Sequence, residues 1–107
     1  MKTRVVVGDR VKDFLESVAP ESRRRVWRGI KALAQDKGDV KQLEGRLAPH
    51  WRLRVDRMRV IYDPRAMEGE RSMICFFAGH RSTVYSVLEQ LLTSGLIAEL
   101  KDAPGKH

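Results

Sequence analysis

Residues 51–63 (WRLRVDRMRVIYD) constrain the fold of this chain more than any other stretch, because apolar residues alternate with charged ones. A period of two is typical of a strand that has one face in the core and one in solvent. If the chain reverses at a two-residue turn, Asp56-Arg57, the stretch forms a β-hairpin. The predicted cross-strand pairs, which form one apolar face, are Val55 with Met58, Leu53 with Val60 and Trp51 with Tyr62.

The opposite face of this hairpin is basic. In the same register Arg54 lies directly across from Arg59, and Arg52 lies one pleat away beside Ile61. We call Arg52, Arg54 and Arg59 the arginine face. Like charges opposite each other destabilise a sheet by roughly 0.2–1 kcal/mol per pair, so this cluster predicts an anionic ligand. A turn of odd length would direct Arg59 toward the core, so the prediction depends on the register.

The composition limits the class of protein. The 107 residues suffice for a single domain, 1–107, with a modest core. A net charge of +7 and a pI of about 10.1 predict a polyanionic partner, most simply nucleic acid, with an acidic protein as the second possibility. The single cysteine, Cys75, excludes an internal disulfide and fits a reducing cytosol. Because membrane-spanning and signal-peptide patterns are absent from the sequence, we expect a cytoplasmic protein without membrane contact.

The region before the hairpin is predicted to contain a strand and two helices. Residues 5–7 are typical of a short first strand. Asp9 is the expected N-cap of the first helix, and Pro20 is the expected start of a second helix that stops at Gly38. The apolar positions that define the two helices are Val11, Phe14, Leu15, Val18, Val26, Trp27, Ile30, Leu33 and Ala34. The two helices are therefore expected to form a helical hairpin.

Three segments around the basic hairpin have distinct patterns. Residues 39–50 are predicted to be irregular, with Leu43 and Leu47 in the core. Residues 63–70 are predicted to be a polar loop. Residues 72–79 (SMICFFAG) are almost continuously apolar, which predicts a strand buried on both faces near the centre of the sheet. The two tryptophans, Trp27 and Trp51, lie on apolar stripes and are assigned to the core.

The last predicted element is a helix capped by Ser82. It runs at least to Leu92, directs Val84 and Leu88 inward, and could extend through Leu100. The predicted fold class is therefore α+β with the order β-α-α-β-β-β-α. We expect a small, mostly antiparallel sheet with the helical hairpin and the C-terminal helix on one face.

Two stretches of this sequence resemble a known family. The segment LEGRLAPHWRLRVDRMRVIYD, followed by an apolar strand that ends in AGHRSTVY, resembles the RelE/ParE superfamily of bacterial type II toxins. The likeness covers about residues 3–92 and includes the order of the elements. It implies the RelE-like microbial RNase fold. Residues 93–107 form a C-terminal extension beyond the usual family end, which we expect to pack on a partner or back on the sheet.

The resemblance also implies a set of functional residues. In the RelE branch, which cleaves messenger RNA in the ribosomal A site, the corresponding positions here are Arg52, Arg54, Arg59, Arg81 and Tyr85. The ParE branch, which poisons DNA gyrase, generally lacks this full set, so the resemblance favours the RelE branch. The expected protein is a ribosome-dependent endoribonuclease whose partners are a cognate antitoxin, the ribosome and mRNA. The alternatives are a ParE-like gyrase inhibitor without hydrolytic activity and an inert RNA-binding domain or decayed toxin.

Metal-free RNA cleavage uses the 2′-hydroxyl as the nucleophile against the adjacent phosphate. It needs a base for the 2′-proton, cations for the charge on the phosphorane and an acid for the 5′-oxygen. We assign Arg59 and Arg81 to the scissile phosphate, because planar guanidinium groups match phosphate oxygens. Arg52 and Arg54 are expected to guide the RNA backbone.

The acid and the base must come from other side chains, because arginine effectively cannot lose its proton. Tyr85 and His80 are the candidates, and Glu44 and His50 are more distant possibilities. Cys75 is expected to be a small buried apolar residue and not a nucleophile. Three scattered histidines and one cysteine offer no metal-ligand spacing, so we predict no metal site and no cofactor.

A second group of basic residues lies on the second predicted helix. Its members are Arg23, Arg24, Arg25, Arg28 and Lys31. Such a stripe is by default a solvated helix face. Because few carboxylates lie nearby, contact of Arg23, Arg24 and Arg28 with ribosomal RNA phosphates is a second interpretation.

Overall fold

The computed structural model of the chain describes residues 2–97, with Met67 described by its backbone alone. The order of strands and helices follows the predicted β-α-α-β-β-β-α pattern with one strand added. The elements are β1 (Lys2–Val7), α1 (Asp9–Ser17), α2 (Pro20–Ala32), β2 (Asp39–Gln42), β3 (Trp51–Val55), β4 (Met58–Met67), β5 (Glu70–His80) and α3 (Val84–Thr93). The predicted α+β class is confirmed.

The strands form one five-stranded sheet in the order β1-β5-β4-β3-β2. β1 pairs with β5 in parallel, and every other pairing is antiparallel. β5 therefore lies inside the sheet between β1 and β4, as its apolar sequence predicted. The β3–β4 register is also the predicted one, with Arg54 directly opposite Arg59 and the turn at Asp56-Arg57. The arginine face consequently stays away from the main core.

The main core lies between the sheet and the α1–α2 hairpin. Both helices turn an apolar stripe toward the sheet, as their periodicity predicted. The fully buried side chains of this cluster include Val11, Leu15, Val26, Ile30, Leu53, Val60 and Cys75. Trp27 and Trp51 are half-buried and pack against the same cluster, which confirms their assignment to the core.

The third helix lies on the other face of the sheet, so the prediction that all helices share one face is wrong. Val84 and Leu88 of α3 pack with Ile61 of β4 and Phe77 of β5 in a second buried cluster. A β-bulge in β5 supports this packing: Ile61 pairs with Phe77 and Tyr62 with Cys75, which leaves Phe76 as the extra residue. Because helices cover both faces of the sheet at β5, the sequence of this strand is almost continuously apolar.

Two segments predicted to be irregular contain strands. Residues 39–50 include β2, an exposed edge strand that pairs with β3, while Leu43 and Leu47 pack against the second cluster as predicted. The predicted polar loop 63–70 is wrong, because β4 and β5 continue through it. The chain reverses only at Glu68-Gly69, where both residues have positive φ angles of 52° and 79°. Backbone pairing stabilises this polar end of the hairpin.

Several predicted helix ends also differ from the structure. Gly8 is the N-cap of α1, and Asp9 is its first residue. Thr83, not Ser82, is the N-cap of α3, and it makes no side-chain cap hydrogen bond. α2 ends at Ala32, ahead of the predicted stop at Gly38, and a short 3₁₀ turn follows it. Pro20 begins α2 as predicted.

The last helix ends at Thr93, so its predicted extension through Leu100 is wrong. The Leu96 N–H donates to the Leu91 carbonyl at 3.0 Å, and the Gly95 N–H donates to the Leu92 carbonyl at 3.2 Å. With φ of 79° at Gly95 this is a Schellman motif, which requires the left-handed conformation that glycine adopts without strain. The rest of the predicted extension, 98–107, lies outside the described residues.

Arg23 joins the two helices of the hairpin. Its Nε donates to the Leu15 carbonyl at 2.8 Å, and its Nη2 donates to the carbonyls of Val18 at 3.2 Å and Glu16 at 3.4 Å. A cation at these carbonyls satisfies acceptors that the end of α1 leaves unpaired and interacts favourably with the helix dipole. Arg23 therefore has a structural role, and its guanidinium is turned toward the protein backbone.

Replacement of Arg23 by alanine is expected to lower the free energy of unfolding by about 1–3 kcal/mol, because hydrogen bonds from a charged donor are lost. Urea unfolding followed by circular dichroism would measure the loss. Arg24→Ala, at the exposed neighbouring position on α2, is the matched control and should stay within about 0.5 kcal/mol of wild type. Equal stabilities for the two variants would contradict the structural role.

Candidate functional site

The arginine face lies on the same side of the sheet as α3. Directly paired residues of an antiparallel ladder share a face, and Arg52 pairs with Ile61, which is buried under α3. Next to Arg59, β5 contributes Gly79 and hence no side chain. A Cβ at Gly79 would lie 3.3 Å from the Cβ of Val84. The glycine thus allows the start of α3 to approach the sheet beside the arginine face.

The directly opposed arginines avoid each other by turning apart. The Nε of Arg54 lies 3.6 Å from a carboxylate oxygen of Asp39 on β2. Nη1 of Arg59 donates to two backbone carbonyls near the β3–β4 turn, those of Asp56 at 3.0 Å and Met58 at 2.9 Å. The like-charge repulsion is therefore reduced within the protein itself, and both guanidinium groups keep further N–H donors.

Asp39 acts as an internal anion on the arginine face. Nη1 of Arg52 donates to the Asp39 carbonyl at 2.9 Å and to its Oδ1 at 3.0 Å. The hydrogen bond from Arg52 holds the pKa of the Asp39 carboxyl below its usual value, and the charges of Arg52, Arg54 and Arg59 act in the same direction. The carboxylate is therefore ionised at neutral pH. It occupies donors that an external anion would otherwise use.

Lys41 is a basic residue of this surface that the sequence analysis missed. β2 pairs Lys41 directly with Arg52, which places both on the same face. Its side chain is exposed, and among residues 2–97 no carboxylate forms an ion pair with it. Unlike arginine, lysine can titrate at a tuned pKa. In the sequence only Val40 alternates with Asp39 and Lys41, a pattern too short to predict a strand.

Arg81 and Tyr85 approach the arginine face from the segment after β5. The backbone N–H of Arg81 donates to the Arg57 carbonyl at 2.8 Å, so the β5–α3 connection is fixed beside the β3–β4 turn. Tyr85 lies in the first turn of α3 and packs, half-buried, against the cluster of Ile61 and Phe77. Within the described chain, neither the Arg81 guanidinium nor the Tyr85 hydroxyl has a hydrogen-bond partner. Both are available to a ligand.

His80 lies on the opposite side of the sheet. It pairs with Met58, a residue of the main core, and its ring makes an edge-on contact with Phe14 of α1 at a centroid distance of 5.6 Å. The reason is strand alternation, because the preceding residue, Gly79, is the one that faces the arginine side. The structure therefore brings Arg59 and Tyr85 to one side, fixes the Arg81 backbone beside the β3–β4 turn, and leaves His80 on the other side.

The two distant candidates for acid–base chemistry have different environments. His50 is 4% exposed, and its Nδ1 lies 2.9 and 3.0 Å from the two carboxylate oxygens of Asp63. The ring of Phe76 packs on the imidazole at a centroid distance of 5.0 Å. This buried pair joins the segment before β3 to β4 and is closed to a ligand. Glu44 is exposed and precedes a short 3₁₀ turn.

The basic residues of α2 are separated from the arginine face by the sheet. Arg24 and Arg28 are exposed on the helix that covers the main core. Arg25 instead reaches the β3–β4 turn, where its Nε donates to Oδ2 of Asp56 at 2.7 Å. With Arg23 turned toward backbone carbonyls, only part of the predicted basic stripe is free to meet an external anion.

Other features that bear on chemistry are the Cys75 thiol and the side chains that could bind a metal ion. Cys75 is fully buried as predicted, and burial raises the pKa of its thiol to about 12, so it is protonated at neutral pH. Residues 2–97 contain no cluster of His, Cys, Asp and Glu side chains suited to a metal ion. None of the described helices has the length and apolarity needed to cross a membrane.

Comparisons with known proteins identify similar solved structures but no sequence match. No protein-family model matches the chain, and a search of curated proteins gives no significant match. The crystal structure of the toxin–antitoxin complex RelBE2 from Mycobacterium tuberculosis contains a chain with a TM-score of 0.63 and 18% identity, with 76% of this chain and 100% of that chain covered.

Two other solved structures show the same likeness. The archaeal RelE–RelB complex from Pyrococcus horikoshii OT3 gives a TM-score of 0.56 and 25% identity over 76% of this chain and 97% of that chain. The YoeB/ParE toxin from Agrobacterium tumefaciens gives a TM-score of 0.58 and 16% identity, with 72% of this chain and 97% of that chain covered. Since nearly the whole of each of these chains is covered, the likeness extends over the complete fold of the similar structures.

The arginine face is predicted to bind an anion. With a single-stranded oligonucleotide as the anionic probe, replacement of Asp39 by asparagine is expected to strengthen binding about two- to five-fold, because an exposed competing charge is removed. Asparagine can keep an acceptor oxygen for Arg52, and the backbone hydrogen bond to Arg52 remains. Fluorescence anisotropy with a labelled oligomer would measure the change. Asp13→Asn, an exposed site on α1, is the control for the change in net charge. Weaker binding by Asp39→Asn would show that the carboxylate mainly positions the arginines.

Proposed function

We propose that the chain is a member of the RelE/ParE superfamily, the toxin of a type II toxin–antitoxin pair and a ribosome-dependent endoribonuclease. Its fold is similar to the solved RelBE2, RelE–RelB and YoeB/ParE structures. The observation that carries the proposal is that Arg59 and Tyr85 lie on one side of the sheet, with the Arg81 backbone fixed beside the turn that carries Arg59. The Arg81–Arg57 backbone hydrogen bond and the β3–β4 register produce this arrangement. A rigid sheet that presents guanidinium groups is suited to an RNA phosphate.

The proposed reaction is an attack of a 2′-hydroxyl of the RNA on the adjacent phosphorus. A general base takes the 2′-proton as the new O2′–P bond forms a 2′,3′-cyclic phosphate, the P–O5′ bond breaks, and a general acid gives its proton to the 5′-oxygen, which leaves as a hydroxyl. Arg59 and Arg81 stabilise the charge on the pentacoordinate phosphorane. Arg59 uses Nη1 for the turn carbonyls, and its Nε and Nη2 donors remain for phosphate oxygens.

The proton transfers are assigned to Tyr85 in preference to His80. Tyr85 extends from the first turn of α3 on the same side as Arg59, whereas the His80 ring contacts Phe14 on the far side. A phenol hydroxyl is one of the side-chain groups that can act in general acid–base catalysis. Lys41, next to Arg52, is the second titratable group on the arginine face and the alternative base.

The arginine face also suits the proposed protein partner. The similar RelBE2 structure is a toxin–antitoxin complex, and the similar structure from Pyrococcus horikoshii OT3 is a RelE–RelB complex. We infer that an antitoxin segment with acidic side chains covers Arg52, Arg54 and Arg59 and so competes with RNA, as the carboxylate of Asp39 already does. In the cytoplasm, Arg24 and Arg28 on the opposite side of the sheet are free to contact phosphates of ribosomal RNA.

Primer extension on a defined mRNA in a reconstituted translation system tests the proposed activity. The expected result is cleavage within codons that requires the ribosome. Arg59→Ala should slow it by about 10²-fold or more, since one preorganised donor to the developing charge is lost. Arg10→Ala, at an exposed site on α1, should cleave at the wild-type rate. If the wild type cuts nothing with or without ribosomes, the nuclease proposal fails, and inhibition of gyrase supercoiling becomes the activity to assay.

Tyr85→Phe separates the chemical role of the hydroxyl from the packing of the ring. The ring still fills its place against Ile61 and Phe77, so the unfolding midpoint should not change. Loss of a general acid or base is expected to reduce single-turnover cleavage on the ribosome by about 10²–10⁴-fold. Lys41→Met, measured in parallel, identifies the alternative base. A wild-type rate for Tyr85→Phe with a slow Lys41→Met variant would transfer the role to Lys41.

A further inference from the structure

A cleft on the α1–α2 side of the molecule is not used by the proposed reaction. It lies between the corner that joins the two helices and the β3–β4 turn, and its volume is about 390 Å³. Val18 and Met58 give it an apolar wall, while Ser22, Arg57 and His80 contribute polar groups. A cleft of this size with a few convergent polar groups is typical of a small-ligand site. It is large enough to hold a nucleotide unit.

The charge in the cleft favours an anion. Its acidic lining residue, Asp56, is bonded to Arg25 at 2.7 Å, and Arg25 also lies 3.4 Å from Glu21. Among the described residues that line the cleft, Arg25 and Arg57 are cations and Asp56 is the one carboxylate, because Glu21 lies outside the lining. Within the described chain, the Arg57 guanidinium and the nitrogens of His80 have no hydrogen-bond partner. The donors left for a ligand are thus cationic or neutral.

The β3–β4 turn lies between the cleft and the arginine face. Arg57 lies in the turn and lines the cleft, while its carbonyl accepts the backbone N–H of Arg81 at 2.8 Å. Arg59 reaches the same turn from the other side of the sheet, where it binds the carbonyl of Asp56. Arginine side chains therefore surround the turn on both sides. A flexible anionic chain that binds Arg59 and Arg81 can continue around the turn into the cleft.

We propose that this cleft is a second RNA subsite, in which Arg57, His80 and Ser22 hold a phosphate of the same single strand next to the cleaved position. The inference rests on the proposed function. It also gives His80 a role in RNA binding, although this residue lies on the side of the sheet opposite the arginine face. Guanidinium, imidazole and hydroxyl groups donate hydrogen bonds to phosphate oxygens. The first turn of α2, a 13-residue helix, adds its positive dipole end at Ser22.

Binding of a labelled single-stranded RNA with 2′-O-methyl riboses tests the subsite, because this probe cannot be cleaved. Fluorescence anisotropy over a series of KCl concentrations gives the affinity and its salt slope. Arg57→Ala should weaken binding about three-fold or more and reduce the slope of log K against log salt by about 0.7, the value for one phosphate contact in a single strand. The backbone hydrogen bond to Arg81 does not depend on the Arg57 side chain.

Ser22→Asp tests the same cleft without removing an arginine. An aspartate in the first turn of α2 is compatible with the helix dipole, so the variant should fold, and its charge should weaken RNA binding. Gln35→Glu, which makes the same charge change at an exposed site beyond the other end of α2, is the matched control. Arg10→Ala on α1 is the control for Arg57→Ala. Both controls are expected to bind as the wild type does.

The outcomes separate the subsite from the proposed function. If Arg59→Ala weakens binding while Arg57→Ala and Ser22→Asp leave both the affinity and the salt slope unchanged, the proposed subsite is wrong. RNA binding by the arginine face is then still supported. If the cleft variants weaken binding of the probe but the wild type cuts no mRNA on ribosomes, the subsite stands and the nuclease assignment fails. Wild-type protein that does not bind the probe overturns the subsite.

Discussion

The β3–β4 turn fixes the positions of Arg54 and Arg59 and of the Arg81 backbone in the candidate site. Asp56 adopts a φ of 54°, a left-handed conformation that aspartate tolerates better than most residues, and this gives the two-residue reversal that puts Arg54 opposite Arg59. One residue more or fewer would exchange the two faces of a strand. The turn is also held from both sides of the sheet, by Arg25 on the Asp56 carboxylate and by Arg59 on the Asp56 carbonyl.

Internal carboxylates determine how a chain of net charge +7 can present its arginines. Asp39 holds Arg52 and Arg54 on one face, and Asp56 holds Arg25 at the turn. These ion pairs are exposed, so each contributes little to stability, but they orient guanidinium groups before a ligand arrives. Preorganised donors of this kind need no rearrangement as charge develops on a phosphate. Under the proposed function, the same carboxylates are the groups that an RNA strand must displace.

The fold could be predicted where a segment buries one of its own faces. Alternation over residues 51–62 predicted the β3–β4 register, because one pairing alone buries all six apolar residues together. β2 has only Val40 to bury, and residues 64–66 and 68–72 of the β4–β5 hairpin are exposed or half-buried, so backbone pairing makes these segments strands. The almost continuous apolar sequence of β5 gives it two apolar faces, and α3 covers the one opposite the helical hairpin.

The sequence by itself determined that Arg52, Arg54 and Arg59 share one face, because alternate residues of a paired strand must lie on the same side. Only the tertiary structure decided which groups join them. It placed Lys41 and Asp39 beside Arg52, directed His80 away, and enclosed His50 with Asp63. These outcomes depend on contacts between segments far apart in the chain, and local periodicity carries no information about such contacts.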